Sequence, residues 1–192
     1  MAFESVRVIS GRYKGRKLAE VGKEKAKSGL RPTSAKVREA LFNILINGSL
    51  GDVVSGARVL DLFAGTGTLG IEAVSRGADF ACLIDMGQVA KQLIRKNMDI
   101  LGNPSNIRFD RLDACALPRN SGLPYGLVFL DPPYGRNLTP GALASARNQG
   151  WIATDGVVIC EESSNVTAPM GFELIQNRKY GQTVITVLRA EG

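Results

Sequence analysis

Arg58-Val59-Leu60-Asp61-Leu62-Phe63-Ala64-Gly65-Thr66-Gly67-Thr68-Leu69-Gly70-Ile71-Glu72-Ala73 is an apolar run that breaks into a glycine-rich turn and re-enters an apolar segment. Residues 65–70 match G-x-G-x-x-G between a strand (Arg58–Leu62) and a helix (Thr68–Arg76), the context a nucleotide-binding turn requires. Glycines permit the tight turn and let a ligand touch main chain without a Cβ between them. A glycine-rich turn with no ligand is the plain alternative.

Working outward, apolar runs and helical patterns alternate. A second strand is predicted over Asp79–Asp85 and a helix over Gln88–Leu101, stopped by Gly102-Asn103-Pro104. A short third strand follows at Ile107–Phe109, a buried one at Leu127–Leu130, a helix at Leu143–Gln149 and a fifth strand at Gly156–Cys160. Phe172–Asn177 and Thr183–Arg189 flank Tyr180-Gly181 and predict a closing hairpin. Strands alternating with helices imply a mostly parallel α/β sheet covered on both faces.

The segment before this pattern is different. Val6–Ser10 and Arg16–Val21 flank Gly11-Arg12-Tyr13-Lys14-Gly15, which predicts a basic-tipped hairpin. Gly22–Leu30 reads as a loop, and Arg31-Pro32-Thr33-Ser34 starts a helix with a hydroxyl as N-cap. Val37, Leu41, Ile44 and Leu45 lie on one face of that helix, which Asn47-Gly48 ends. The expected organisation is therefore an extension over residues 1–48 and an α/β domain over 49–192.

Eleven Lys/Arg and three Glu fall within residues 1–38, a net of +8, which leaves −2 elsewhere against the overall +6. Positive charge concentrated in this way is the footprint expected of a nucleic-acid contact; a merely solvated basic face is the alternative. Arg7, Arg12, Lys14, Arg16, Lys17, Arg31 and Arg38 are the candidate RNA-facing residues. There is no histidine, which excludes Ser-His-Asp triads, histidine general bases and histidine metal sites. Cys82, Cys115 and Cys160 lack metal-ligand spacing, so no metal is expected. No apolar run reaches membrane-spanning length and the amino terminus has no secretory h-region, so a cytoplasmic protein without membrane contact is expected.

Three acids sit where a switch-point crevice would place them. Asp61, just before the glycine turn, would repel a pyrophosphate and suits the cationic amino end of a methionine moiety. Asp85 closes the next strand, where ribose hydroxyls would lie, a placement equally compatible with NAD. Asp113-Ala114 could bond an adenine edge or simply cap a turn.

Asp131-Pro132-Pro133-Tyr134 is more specific. Two prolines fix the backbone so that the Asp131 carboxylate and the Pro132 carbonyl can converge on one spot. Together they can accept both hydrogens of a planar amino group, and the Tyr134 ring offers a stacking surface. A ring-bound amine is a poor nucleophile because its lone pair is delocalised. Acceptors that draw its hydrogens out of plane counter this, and in-line placement beside a sulfonium adds to it. The residues thus point to S-adenosylmethionine and an amino acceptor.

The chain resembles the RsmD-type methyltransferases, which act on the 2-amino group of a guanine in small-subunit (16S) ribosomal RNA. The resemblance rests on Val8-Ile9-Ser10-Gly11, Tyr13-Lys14-Gly15-Arg16, Arg31-Pro32-Thr33 and Val37-Arg38-Glu39-Ala40-Leu41-Phe42-Asn43. It continues through Leu60–Gly67, Gly70-Ile71-Glu72-Ala73 and Asp131–Tyr134. It implies a seven-stranded class I (Rossmann-like) methyltransferase sheet closed by the hairpin within Phe172–Arg189. It also implies cofactor contacts from Asp61, Phe63, Ala64, Gly65 and Gly67, ribose binding by Asp85 and adenine binding by Asp113 and Ala114. Asp131, Pro132 and Tyr134 would be catalytic, and the partner ribosomal RNA or the small subunit, met by a monomer. Asp85 stands where the family usually has Glu, and Ala35 where it has Asp. DNA adenine or a protein amide would suit the same tetrad; an NAD-dependent oxidoreductase is disfavoured by Asp61 and the lack of histidine, and a non-catalytic RNA-binding assembly factor by the intact tetrad.

Overall fold

The computed structural model describes residues 6–19, 34–133 and 135–192. The predicted loop Gly22–Leu30, together with Arg31 and Tyr134, lies outside the described residues. Helix α1 is Ala35–Asn47, followed by β1 Arg58–Leu62, α2 Thr68–Ser75, β2 Phe80–Ile84, α3 Gln88–Ile100 and β3 Ile107–Asp110. Then come β4 Tyr125–Leu130, α4 Thr139–Asn148, β5 Ile152–Glu162, β6 Phe172–Tyr180 and β7 Thr183–Ala190.

The seven strands form one sheet in the order β3-β2-β1-β4-β5-β7-β6. β1 to β5 run parallel, and β7 is antiparallel to both neighbours. This is the class I methyltransferase architecture. The central strands are buried on both faces, as their unbroken apolar runs require. One face packs on Leu41, Phe42 and Leu45 of α1, Leu69 and Ile71 of α2 and Ile94 of α3. The other packs on Ala142, Leu143 and Ala146 of α4. Val8, Tyr13 and Leu18 join the first cluster, so the amino-terminal arm shares its core with the sheet.

Several boundaries differ from expectation, the first two below for local reasons. α4 begins at Thr139 because Pro140 fits the first helical turn, where no N–H partner is needed. β5 begins at Ile152 and passes a bulge at Asp155, whose φ is +59°, before resuming at Gly156. The amino-terminal hairpin forms only one bridge, Arg7 with Lys17, among the described residues.

The hairpin keeps its cross-strand bonds from Val8 N–H to the Arg16 carbonyl and from Leu18 N–H to the Val6 carbonyl, at 3.1 and 2.9 Å, and beyond Val8 its main chain turns to α2. Ile9 and Ser10 donate to the Glu72 carboxylate at 2.8 and 3.0 Å. Arg12 and Tyr13 donate to the carbonyl and hydroxyl of Ser75 at 2.7 and 2.9 Å. Gly11, at φ +80°, lies so close that a Cβ would sit 1.6 Å from the Ser75 carbonyl oxygen.

Glu72 is fully buried and also accepts from Arg76 Nε at 2.8 Å, with Arg38 Nε at 3.6 Å. Removing one partner of a buried ionic cluster leaves the others uncompensated and costs about 3–5 kcal/mol, against about 0–1 for an exposed pair. Glu72→Ala should therefore lose stability on that larger scale in urea unfolding and expose the arm to proteolysis. Asp110→Ala, which breaks the partly exposed Arg108–Asp110 pair, should fall in the smaller range.

Candidate active site

Register brings the ends of the parallel strands to one edge. Leu62 of β1 pairs with Ile84 of β2 and Leu130 of β4, Ile84 pairs with Asp110, and Leu130 with Cys160. Phe63, Asp85, Asp131 and Glu161 are the next residues of their strands and so follow one another along this edge. Strand order reverses between β1 and β4, the topological switch point where open α/β sheets bind ligands.

The glycine turn is built onto β2. Phe63 holds φ at +61°, a conformation a bulky residue seldom adopts without local constraint. Ala64 then donates its N–H to Ile84 at 2.9 Å, and Gly67 to Ala64 at 2.7 Å. Gly65 N–H donates to Asp85 Oδ2 at 2.9 Å, while Asp85 Oδ1 accepts from Gly87 at 2.7 Å. Gly67, at φ +75°, leads into α2, and a Cβ there would meet Leu83 Cδ1 at 2.8 Å. This glycine is required by the close approach of the turn to the sheet.

Asp61 points toward the same turn from inside β1. It is 1% exposed, and its Oδ2 accepts the Gly70 N–H at 2.9 Å. Burial pushes its carboxyl up to about 7, the Gly70 bond opposing this and the Asp85 charge adding to it. A buried acid poised this way favours a cationic group beside it. Asp85 retains lone pairs for hydroxyls. Two acceptor side chains against one turn suit an amine and a diol and disfavour a diphosphate.

Asp113 is exposed, and its Oδ1 accepts the Cys115 N–H at 2.9 Å, the turn-capping geometry. Ala114 is buried against the second core, so a ligand there would meet its main chain. At the end of β4, Asp131 is half-buried and Pro132 buried. Among the described residues no cluster of His, Cys, Asp and Glu could hold a metal.

Arg7, Arg12, Lys14, Arg16 and Lys17 are exposed and form no ion pair with another described residue. The Arg7 guanidinium donates to the Gly15 carbonyl at 3.0 Å, and that of Arg12 lies 5.2 Å from the Tyr13 ring centroid. Arg38 corrects the expected RNA surface. It is 1% exposed, lies beside Glu72 and donates to the Arg7 carbonyl, so it anchors the arm from below. Burial lowers its pKa, the Glu72 charge opposing this. Sequence reading also missed Glu72 as an anchor. Its signal was a lone carboxylate in the otherwise apolar or small octapeptide of α2.

Comparison with known proteins agrees with this geometry. Residues 6–189 match the family model described as Conserved hypothetical protein 95. Ribosomal RNA small subunit methyltransferase D of Escherichia coli strain K12 is 34% identical over 189 residues, 97% of this chain and 90% of that protein. Putative rRNA methyltransferase YlbH of Bacillus subtilis strain 168 is also 34% identical, over 97% of this chain and all (100%) of its own. The solved structure of putative methyltransferase yhhF from Escherichia coli superposes with a TM-score of 0.82 at 34% identity, covering 98% of this chain and 99% of that one. The chain belongs to the family of ribosomal RNA small subunit methyltransferase D, as its turn, tetrad and amino-terminal motifs together imply.

Proposed function

We propose that this protein transfers a methyl group from S-adenosylmethionine to the 2-amino group of a guanine in small-subunit ribosomal RNA, acting in the cytoplasm as a monomer. The observation that carries the reading is the adjacency of the buried Asp61 and glycine turn of β1 to Asp131-Pro132 at the end of β4, its sheet neighbour. The names of the family's relatives support the RNA substrate.

In this reading Asp61 holds the ammonium of the methionine moiety, with Phe63, Ala64, Gly65 and Gly67 forming the wall against it. Asp85 takes the ribose hydroxyls, and Asp113 with the Ala114 main chain takes the adenine edge. When bound, S-adenosylmethionine supplies an electrophilic methyl group on a sulfonium. Asp131 and the Pro132 carbonyl accept the two hydrogens of the target amine and turn its lone pair toward that methyl. Held this way, the amine would give up one of its two hydrogens as a proton, and Asp131, accepting that hydrogen, would hold it until it leaves. Tyr134 supplies the stacking surface in the sequence reading. A base in a duplex must leave its stack to reach such a site.

Labelled methyl transfer to small-subunit RNA, with the product nucleoside identified by mass, tests the reaction. A 2-methylguanosine product is expected; methyladenine, or label in DNA or protein, would overturn the substrate. Asp131→Ala should lower kcat at least about 100-fold, by loss of positioning and lone-pair localisation, with cofactor affinity retained.

Asp61 gives a pH dependence. Its folded pKa of about 7 lies above the ordinary carboxyl value, so in the free protein it keeps a proton that an unfolded chain has already released. Its contribution to stability therefore falls as pH rises from about 4 to 7. An ammonium beside it favours the ionised form and expels that proton. Cofactor affinity should rise with pH up to about 7 and then level, with proton release visible by calorimetry in buffers of different ionisation heat. Asp61→Asn should flatten the profile; an unchanged profile would remove Asp61 from the site.

A further inference from the structure

One side chain outside both motifs joins the amino-terminal arm to the glycine turn. Asn97 lies on α3, whose other buried residues, Ala90, Leu93 and Ile94, are apolar. It is fully buried, at 0% exposure. Its Oδ1 accepts the main-chain N–H of Ala19 at 2.6 Å, and its Nδ2 donates to the main-chain carbonyl of Thr66 at 2.8 Å. The two partners fix the amide's orientation, because an N–H needs an acceptor and a carbonyl needs a donor. A carboxylate would set a second acceptor against Thr66, and an apolar side chain would strand both main-chain groups in the core.

Each partner belongs to a different working part. Thr66 lies between Gly65, whose N–H holds Asp85, and Gly67, which is packed against Leu83 and Ile94. Ala19 lies two residues after Lys17, the exposed cation that bridges to Arg7. The hairpin tip at Gly11 is tied to Ser75, at the far end of α2 from the turn. The arm therefore runs the length of that helix, about 12 Å at 1.5 Å per residue, and meets the turn through Asn97.

We propose that Asn97 is a positioning residue that holds the RNA-facing arm and the cofactor turn in one arrangement, so that RNA on the arm and cofactor in the turn strengthen each other's binding. This rests on the methyltransferase reading above. A ligand that orders one end of the amide bridge reduces the ordering the other end must undergo, and the coupling is reciprocal.

The test measures binding of S-adenosylhomocysteine, which cannot react, by calorimetry with and without a small-subunit ribosomal RNA transcript. In the wild-type protein RNA should tighten this binding by about five-fold or more, and S-adenosylhomocysteine should tighten RNA binding by the same factor. Asn97→Asp, which loses the donor to Thr66, and Ala19→Pro, which deletes the N–H from the arm side, should each bring that factor close to one. A merely structural role would lower melting temperature and both affinities while leaving the factor intact, and that outcome overturns the proposal. Wild-type binding with no linkage overturns it as well, leaving the methyltransferase reading in place. Failure of the wild-type protein to bind S-adenosylhomocysteine at all overturns the cofactor reading and the proposal together.

Discussion

The buried carboxylate of Glu72 is the constraint on which the rest of the molecule depends. An acid removed from water must be met on every side, and here it accepts two main-chain N–H groups of the arm and the Arg76 guanidinium, with Arg38 alongside. These contacts, with those of Ser75 to Arg12 and Tyr13, lay residues 9–13 against α2. They draw Arg38 into the core and leave Arg7, Arg12, Lys14, Arg16 and Lys17 facing solvent. The Arg76 guanidinium also lies 4.8 Å from the Phe42 ring centroid, which ties α1 to the same cluster.

The same helix carries the consequences to the site. α2 begins at the glycine turn and ends at Ser75, where the hairpin tip is bound. Its Gly70 N–H fixes Asp61, whose burial pushes the carboxyl up to about 7, so that a cation beside it would favour the ionised form. A helix of eight residues therefore connects the basic arm with the glycine turn. Asn97 makes a second connection between them from α3, closer to the turn.

The legible parts of the sequence were those in which one physical cause dominates. β1, β2 and β4 were read from apolar runs because a parallel strand buried on both faces has no alternation to confuse the pattern. The turn at Gly65–Gly67 was read because a left-handed backbone and a close approach both call for glycine. Pro140 misled the start of α4 because proline breaks a helix interior yet suits its first turn. Asp155-Gly156 concealed the bulge in β5 by resembling a strand's beginning. Arg38 was read as a surface cation because charge gives no sign of burial unless its partner is known, and Glu72 lies 34 residues away in sequence, as their two positions show.

The sequence by itself determined the alternation of strands and helices, the glycine turn, the tetrad and the basic amino-terminal segment. Each follows from local backbone preference, hydrophobic pattern or residue chemistry, all of which are written within a few neighbouring positions. Only the tertiary structure decided which cations face solvent, which acids are buried and what satisfies each main-chain group. Those outcomes depend on partners distant in sequence, 34 residues apart for Arg38 with Glu72 and more than 60 for Ile9 with Glu72 and Ala19 with Asn97. A buried donor or acceptor must be paired wherever the fold brings a partner, and that pairing exists only once the sheet and its helices have assembled.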